Sequence, residues 1–253
     1  MPYPAHVSDA AYCYDGSYAG FLCCIFESYT RREIPSAVLG PAEGQITLFG
    51  TEAIATDLTH ARRVANGLTR LGPMVRERVM TGFLSTEEEK DLILLRFVRR
   101  CFDEGPRAVQ MLGDPDVHAA FVLERNVNNE VCRFIEFIRF EEKDGMLGSV
   151  IHPKNNVLPL LRGHFCSRLP DEDFLIFDAA HGTALLRQSG HVQYLAMEHY
   201  EPARDTDELN WQALWKRFFH ALTIEERRNA KAQMNHAPKR FWGGMVEMRE
   251  PYI

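Results

Sequence analysis

The chain has 253 residues, 45 % of them hydrophobic and 25 % charged, with a formal net charge of -6. That length fits one large domain or two small ones, and either can bury a sizeable core. The negative balance excludes a general nucleic-acid coat protein, and without an apolar run of about 18 residues no membrane-spanning helix is expected.

In chain order, residues 7–14 predict a strand, with Tyr14-Asp15-Gly16-Ser17 as its exit turn. Asp15 or Ser17 can cap a helix whose apolar face includes Phe21, Leu22, Ile25, Phe26 and Tyr29. Backbone N–H groups near Gly16 and Ser17 offer an anion seat, but the glycine pattern of a nucleotide loop is missing, so an ordinary cap is the first reading. Residues 35–44 read as a loop and 45–49 as a short strand. Helices follow from Asp57 or Thr59 to Leu71, over 75–83, and, behind the capping signal Ser85-Thr86-Glu87-Glu88-Glu89, as far as Phe102. Gly105-Pro106 breaks the run, and Gly113-Asp114-Pro115 opens another helix reaching about Asn129.

The pattern then changes. Alternation over 134–140, a turn at Lys143-Asp144-Gly145 and a return over 146–151 predict a hairpin. A helix over 157–168 and strands over 174–178, 183–187 and 192–197 complete an α+β fold, a central antiparallel sheet with one crossing helix, flanked by N-terminal and C-terminal helices. The single domain expected over 1–253 is mainly helical over 1–130, mainly β over 131–200, and helical and basic over 201–253. The N-terminus lacks a basic region followed by an apolar core, so no signal peptide is expected. Cysteines 13, 23, 24, 101, 132 and 166 form no CxxC pair and point to reduced thiols in a cytoplasmic protein.

Candidate chemistry is sparse. His152, His164, His181, His191 and His199 show no ligand spacing, so neither metal nor cofactor is expected. Asp178 and His181 form an acid/base pair only if their turn folds them together; structural hydrogen bonding is the plainer reading. Glu130 and Arg133 share a helix face, either as an internal ion pair or as a pocket in which Arg133 holds a phosphate and Glu130 orients it. The candidate catalytic set for a nucleotide- or damaged-base-processing enzyme is Asp15, Glu130, Arg133, His164 and Asp178.

The C-terminal stretch reverses the sign of the whole, with eight Lys or Arg against four Glu from Trp211 onward. Arg227, Arg228, Lys239 and Arg240 are candidates to neutralise phosphates, with Trp242 stacking on a base. The competing reading makes Trp215, Phe218, Phe219 and Trp242 core rings and leaves the charges solvated.

Several blocks carry a resemblance across nearly the full length. They are Tyr14-Asp15-Gly16-Ser17 with Gly20–Glu27, Arg133-Phe134 with Phe137–Phe140, and Val157–Leu161 with His164-Phe165 and Arg168-Leu169-Pro170. Glu226–Asn229 and Pro238–Trp242 complete the set. Jointly they resemble a family catalogued as DNA metabolism or DNA repair proteins. The resemblance implies nucleic acid, above all DNA, as one partner and a radical S-adenosylmethionine iron–sulfur protein as another. Relatives occur fused to uracil-DNA-glycosylase-like modules, and no segment here reads as that module. Where the family has a histidine two residues after the glutamate, this chain has Cys132, which puts in doubt any activity that depends on the imidazole. An adaptor that binds only protein through the same C-terminal helices is the third expectation.

Overall fold

Side-chain caps define the helices of the first half. The computed structural model describes residues 6–41, 50–201, 206–227 and 229–248, and the chain divides into two units, Met1–Asn128 and Asn129–Ile253. The expected first strand is split into β1 (His6–Val7) and β2 (Ala11–Cys13). Ser17 caps α1 (Tyr18–Thr30), its hydroxyl accepting from the Gly20 N–H at 2.9 Å. Two short strands follow, β3 (Glu33–Ile34) and β4 (Ala37–Leu39), so part of the expected loop over 35–44 is strand. The strand expected over 45–49 lies outside the described residues. β5 (Thr51–Ala53) joins a three-stranded parallel sheet in the order β4-β2-β5, while β1 pairs with β3. Strands of two or three residues carry too little alternation to register in the sequence.

Asp57 caps α2 (Leu58–Leu71), accepting from the Thr59 and His60 N–H groups, and Pro73 opens α3 (Pro73–Phe83). α4 (Lys90–Glu104) stops at Gly105, whose φ of 80° suits a residue without Cβ. Phe21, Ile25, Leu68, Val79, Leu94, Leu95 and Phe97 are buried in one core. α5 (Pro115–Phe137) then carries the chain into the second unit.

There the sequence reading needs a correction. The segment 134–140 is not a strand, because α5 continues to Phe137 and the hairpin strand β6 is only Glu141–Lys143. Phe134, Phe137 and Ile138 have the i, i+3, i+4 spacing of a helix while Phe134, Ile138 and Phe140 also fit strand alternation, and tertiary packing decides between them. Phe134 and Phe137 meet the ring of Phe241 at 5.0 and 5.7 Å. Asp144 and Gly145, both at positive φ, turn the chain into β7 (Met146–Ile151).

α6 (Leu158–Arg168) crosses over to β8 (Asp173–Asp178), followed by β9 (Thr183–Gln188) and β10 (His191–Ala196). The fold is α+β, with a five-stranded central sheet ordered β10-β9-β8-β7-β6 and helices before and after it. Every pairing in that sheet is antiparallel except β7–β8, which the crossing helix makes parallel. β8 is covered on both faces. Phe174 and the α6 ring Phe165 both pack on Phe140, while Leu175 and Phe177 cluster with Ala184 and Leu186 on the other face. Gly148 in β7 lies under the Tyr200 hydroxyl, which would stand only 2.0 Å from a Cβ at that position. α7 (Thr206–Leu222) and α8 (Ala230–His236) form most of the C-terminal segment, and Lys239–Gly244 is a 3-10 turn.

Asp91, in the first turn of α4, is the most unusual group of the first unit's core. It is buried and accepts from the Tyr14 hydroxyl at 2.8 Å, while its Oδ1 has no partner. Burial raises its carboxyl above the ordinary 3.8, against the smaller opposing effects of Lys90 and Tyr14. The folded state therefore keeps this proton to higher pH than the unfolded chain does. Stability from this group falls as pH rises from about 3.8 through the raised folded value. Asp91→Asn is expected to gain stability relative to wild type as pH rises through that window, read by urea unfolding at a series of pH values. A difference between the two proteins that does not change with pH would contradict this.

Candidate functional site

In the first unit, Asp15 is a local organiser. Its Oδ1 accepts from the Ser17 N–H at 2.9 Å and the Ser17 hydroxyl at 2.7 Å, and its Oδ2 accepts from the Thr56 hydroxyl at 2.8 Å. Those hydrogen bonds, led by the one from the Ser17 side chain, hold the carboxyl below its usual range. The same carboxylate occupies the anion seat expected near Gly16 and Ser17. A Cβ on Gly20 would fall 2.3 Å from Asp15 Oδ1, so α1 can approach this turn only with glycine there.

In the second unit, Glu130 is 2 % exposed and fully engaged. Its oxygens accept from the Lys154 N–H at 2.9 Å, the Asn155 N–H at 2.8 Å and the Asn155 amide at 2.7 Å. Arg240 Nη1 completes the ring of donors at 3.1 Å. The expected partner, Arg133, is placed elsewhere: it pairs with Glu136 and donates to the His236 carbonyl at 2.7 Å. The expected Glu130–Arg133 ion pair does not form. A residue three positions along a helix lost to a loop that offers two backbone donors and an amide.

Asp178 is also buried, and its turn does fold back. Its Oδ1 accepts from the Ala180 and His181 N–H groups, and its Oδ2 lies 2.7 Å from His181 Nδ1. A carboxylate oxygen accepts, so in this contact Nδ1 is the donor and Nε2 is directed away from Asp178. Asp178 ends β8 in register with Ile151, the last residue of the parallel neighbour β7, and the Glu130-bound residues begin three positions after Ile151. Both carboxylates thus shape the loops that leave the carboxyl ends of the parallel pair, where open sheets place ligands. His164, on α6, stands against the Phe165 ring at 5.0 Å, and its buried Nε2 has no partner. Among the described residues no group of three or more His, Cys, Asp or Glu is arranged to hold a metal ion. Cys132, in the place of the expected histidine, is exposed.

The C-terminal candidates divide. Arg227 and Trp242 line one hollow of about 600 Å³ together with His220, Asn229, Gln233 and Glu247, whose carboxylate accepts from the Trp215 indole. The Trp242 indole donates to the Ala237 carbonyl at 2.8 Å, and the Lys239 ammonium lies 5.8 Å from its ring. Among the described residues, neither Arg227 nor Lys239 forms an ion pair. Arg240 is different, since Glu130 neutralises it and its guanidinium rests on Phe241 at 4.6 Å. Arg228 lies outside the described residues. The core reading of the aromatics holds for none of the rings on α7 that it named with large exposure: Trp215 and Phe218 are 43 % and 53 % exposed. Asn155 was missed as a site residue because its partner Glu130 is set by folding rather than by spacing, whereas Asn229 caps α8 by accepting from the Ala232 N–H at 3.0 Å.

The model of DUF4130, a domain of unknown function, matches residues 88–247. The chain belongs to this family. The DUF4130 match takes in α4 through the last described turns, and so includes Glu130, Asp178, Arg227 and Trp242 but not Asp15. No curated protein and no solved structure matches the chain.

The Glu130 cluster makes a stability difference testable. Glu130→Ala removes the acceptor shared by the Lys154 and Asn155 N–H groups and the Asn155 amide, and is expected to cost about 3–5 kcal/mol. Arg240→Ala removes the balancing charge of a carboxylate that keeps its three hydrogen bonds, and should cost about 1.5–3 kcal/mol. Chemical denaturation of the two variants measures both, and equal losses would show that the ion pair, not the loop contacts, dominates.

Proposed function

We propose that this DUF4130 protein is an accessory factor of DNA metabolism or repair that binds nucleic acid through its C-terminal hollow and works with a radical S-adenosylmethionine iron–sulfur protein. The observation that carries the nucleic-acid part is the convergence of Arg227 and Trp242 on one concavity, with Lys239 beside the indole. A cation supplies attraction to phosphate, and an aromatic face supplies stacking without sequence readout. The excess of basic residues from Trp211 onward supports the same reading. The iron–sulfur partner rests on the family resemblance alone.

A second reading is favoured by one specific contact. The Asp178–His181 pair has the form of an oriented general base, with a buried carboxylate holding the imidazole by Nδ1. A nucleotide- or damaged-base-processing enzyme would use it at the ends of β7 and β8. Of the enzyme candidates, Glu130 is the poorest acid or base, because four donors already surround it.

Fluorescence anisotropy with labelled single-stranded and duplex DNA, at low and moderate salt, tests the nucleic-acid reading. Salt-sensitive binding is expected. Arg227→Ala should lower the salt slope by about 0.7 on a single strand, and Trp242→Ala should weaken binding by about 1–3 kcal/mol. Unchanged affinity in the folded double variant would sink the proposed footprint, and absence of binding at low salt would favour the protein-only adaptor.

A further inference from the structure

A second hollow, of about 530 Å³, lies in the first unit where α1, α2 and the end of α4 meet. Its volume falls in the range of small-molecule sites. Phe26, Tyr29 and Phe102 supply aromatic walls, and Arg63 and Arg70 supply charge. A Cβ on Gly67 would fall 2.7 Å from Phe102 Cζ, so glycine lets that ring lie against α2 at the turn between the two arginines. Arg99, which donates to the Ser28 carbonyl and hydroxyl at 3.0 Å, rests on the Tyr29 ring at 4.3 Å and holds it in place. The Tyr29 hydroxyl is buried without a partner, an unmet donor in this wall.

Charge decides the occupant. α2 carries three arginines and no carboxylate, and among the described residues neither Arg63 nor Arg70 forms an ion pair. No described carboxylate lines the hollow. Of the acids on α1 and in the last turn of α4, Glu27 pairs with Arg31 and Glu104 with Arg100, which leaves Asp103 as the opposing charge near Tyr29. Seven helical positions are about 10.5 Å of rise and nearly two turns, so both guanidinium forks leave one face and can close on a single phosphate from either side. We infer that this hollow binds a nucleoside monophosphate as a small molecule, its base against the Phe102 and Tyr29 rings and its phosphate between Arg63 and Arg70. A lone phosphate would leave the aromatic walls unused, and a neutral ring would leave both charges unused. With few polar contacts beyond the two forks, the dissociation constant is about 100 µM. The site belongs to the first unit, shares no residue with the C-terminal hollow and is independent of the reading proposed for it.

Isothermal titration calorimetry of the full chain with AMP, adenosine and inorganic phosphate provides the test. AMP should bind at least about tenfold more tightly than adenosine or phosphate. Arg63→Gln/Arg70→Gln removes two exposed charges without ion-pair partners, so it should keep the helical circular dichroism while bringing AMP level with adenosine. Gly67→Leu is a better helix former that sets a side chain into the hollow, and it should abolish binding. Arg227→Ala should bind AMP as the wild type does, which separates this site from the C-terminal one. No saturable AMP binding by the wild type up to about 5 mM, wild-type affinity in both the arginine double variant and Gly67→Leu, or loss of binding in Arg227→Ala would overturn the inference. Adenosine binding as tightly as AMP would overturn the assignment of the phosphate to the arginines.

Discussion

A buried carboxylate without partners is among the costliest groups a fold can hold, and Glu130 is stable in the second unit only because the chain brings four donors to it. That requirement fixes the conformation of the loop after β7, since the Lys154 and Asn155 N–H groups must point inward. It also draws the C-terminal segment back, because Arg240 supplies the balancing charge. The buried Phe241 beside Arg240 packs on Phe134 and Phe137, so the charged contact and the apolar contact act on the same turn. One glutamate thus couples the end of α5, the exit of β7 and the last described turns.

The same coupling sorts the basic residues. Arg240 is held by Glu130, while Arg227 and Lys239 form no ion pair among the described residues. Trp242 is fixed by its indole N–H and leaves its ring at the rim of the hollow. The proposed nucleic-acid surface would use that division, with Arg240 holding the platform and Arg227 and Lys239 facing the phosphates. The parallel β7–β8 pair adds a second polar centre, Asp178 with His181, at the sheet end to which its topology directs ligands.

Much of this was legible in the sequence where the cause was local. Ser17 and Asp57 were readable as caps because a cap needs only a side-chain oxygen within three residues of the N–H groups it accepts from. The Asp178–His181 contact was readable as a condition on one turn. Phe134 to Phe140 was misread because its apolar positions satisfy two periods, and the ring that selects the helix, Phe241, lies far along the chain. The partners of Glu130 were hidden for a similar reason. Asn155 is an unremarkable loop residue until α5 delivers a carboxylate to it, and Arg133 was the nearer candidate by spacing alone. The exposure of Trp215 and Phe218 was equally unreadable, since an amphipathic helix has the same pattern whether it packs within its own chain or against another.

The most direct measurement is backbone hydrogen exchange by mass spectrometry, with and without a saturating single-stranded oligonucleotide. Protection concentrated in the segment from Phe219 to Trp242, with the Glu130-held loop at Lys154 and Asn155 slow to exchange in both states, is the expected result. Protection confined to other segments, or a fast-exchanging loop in the free protein, would contradict the division of the basic residues between Glu130 and nucleic acid.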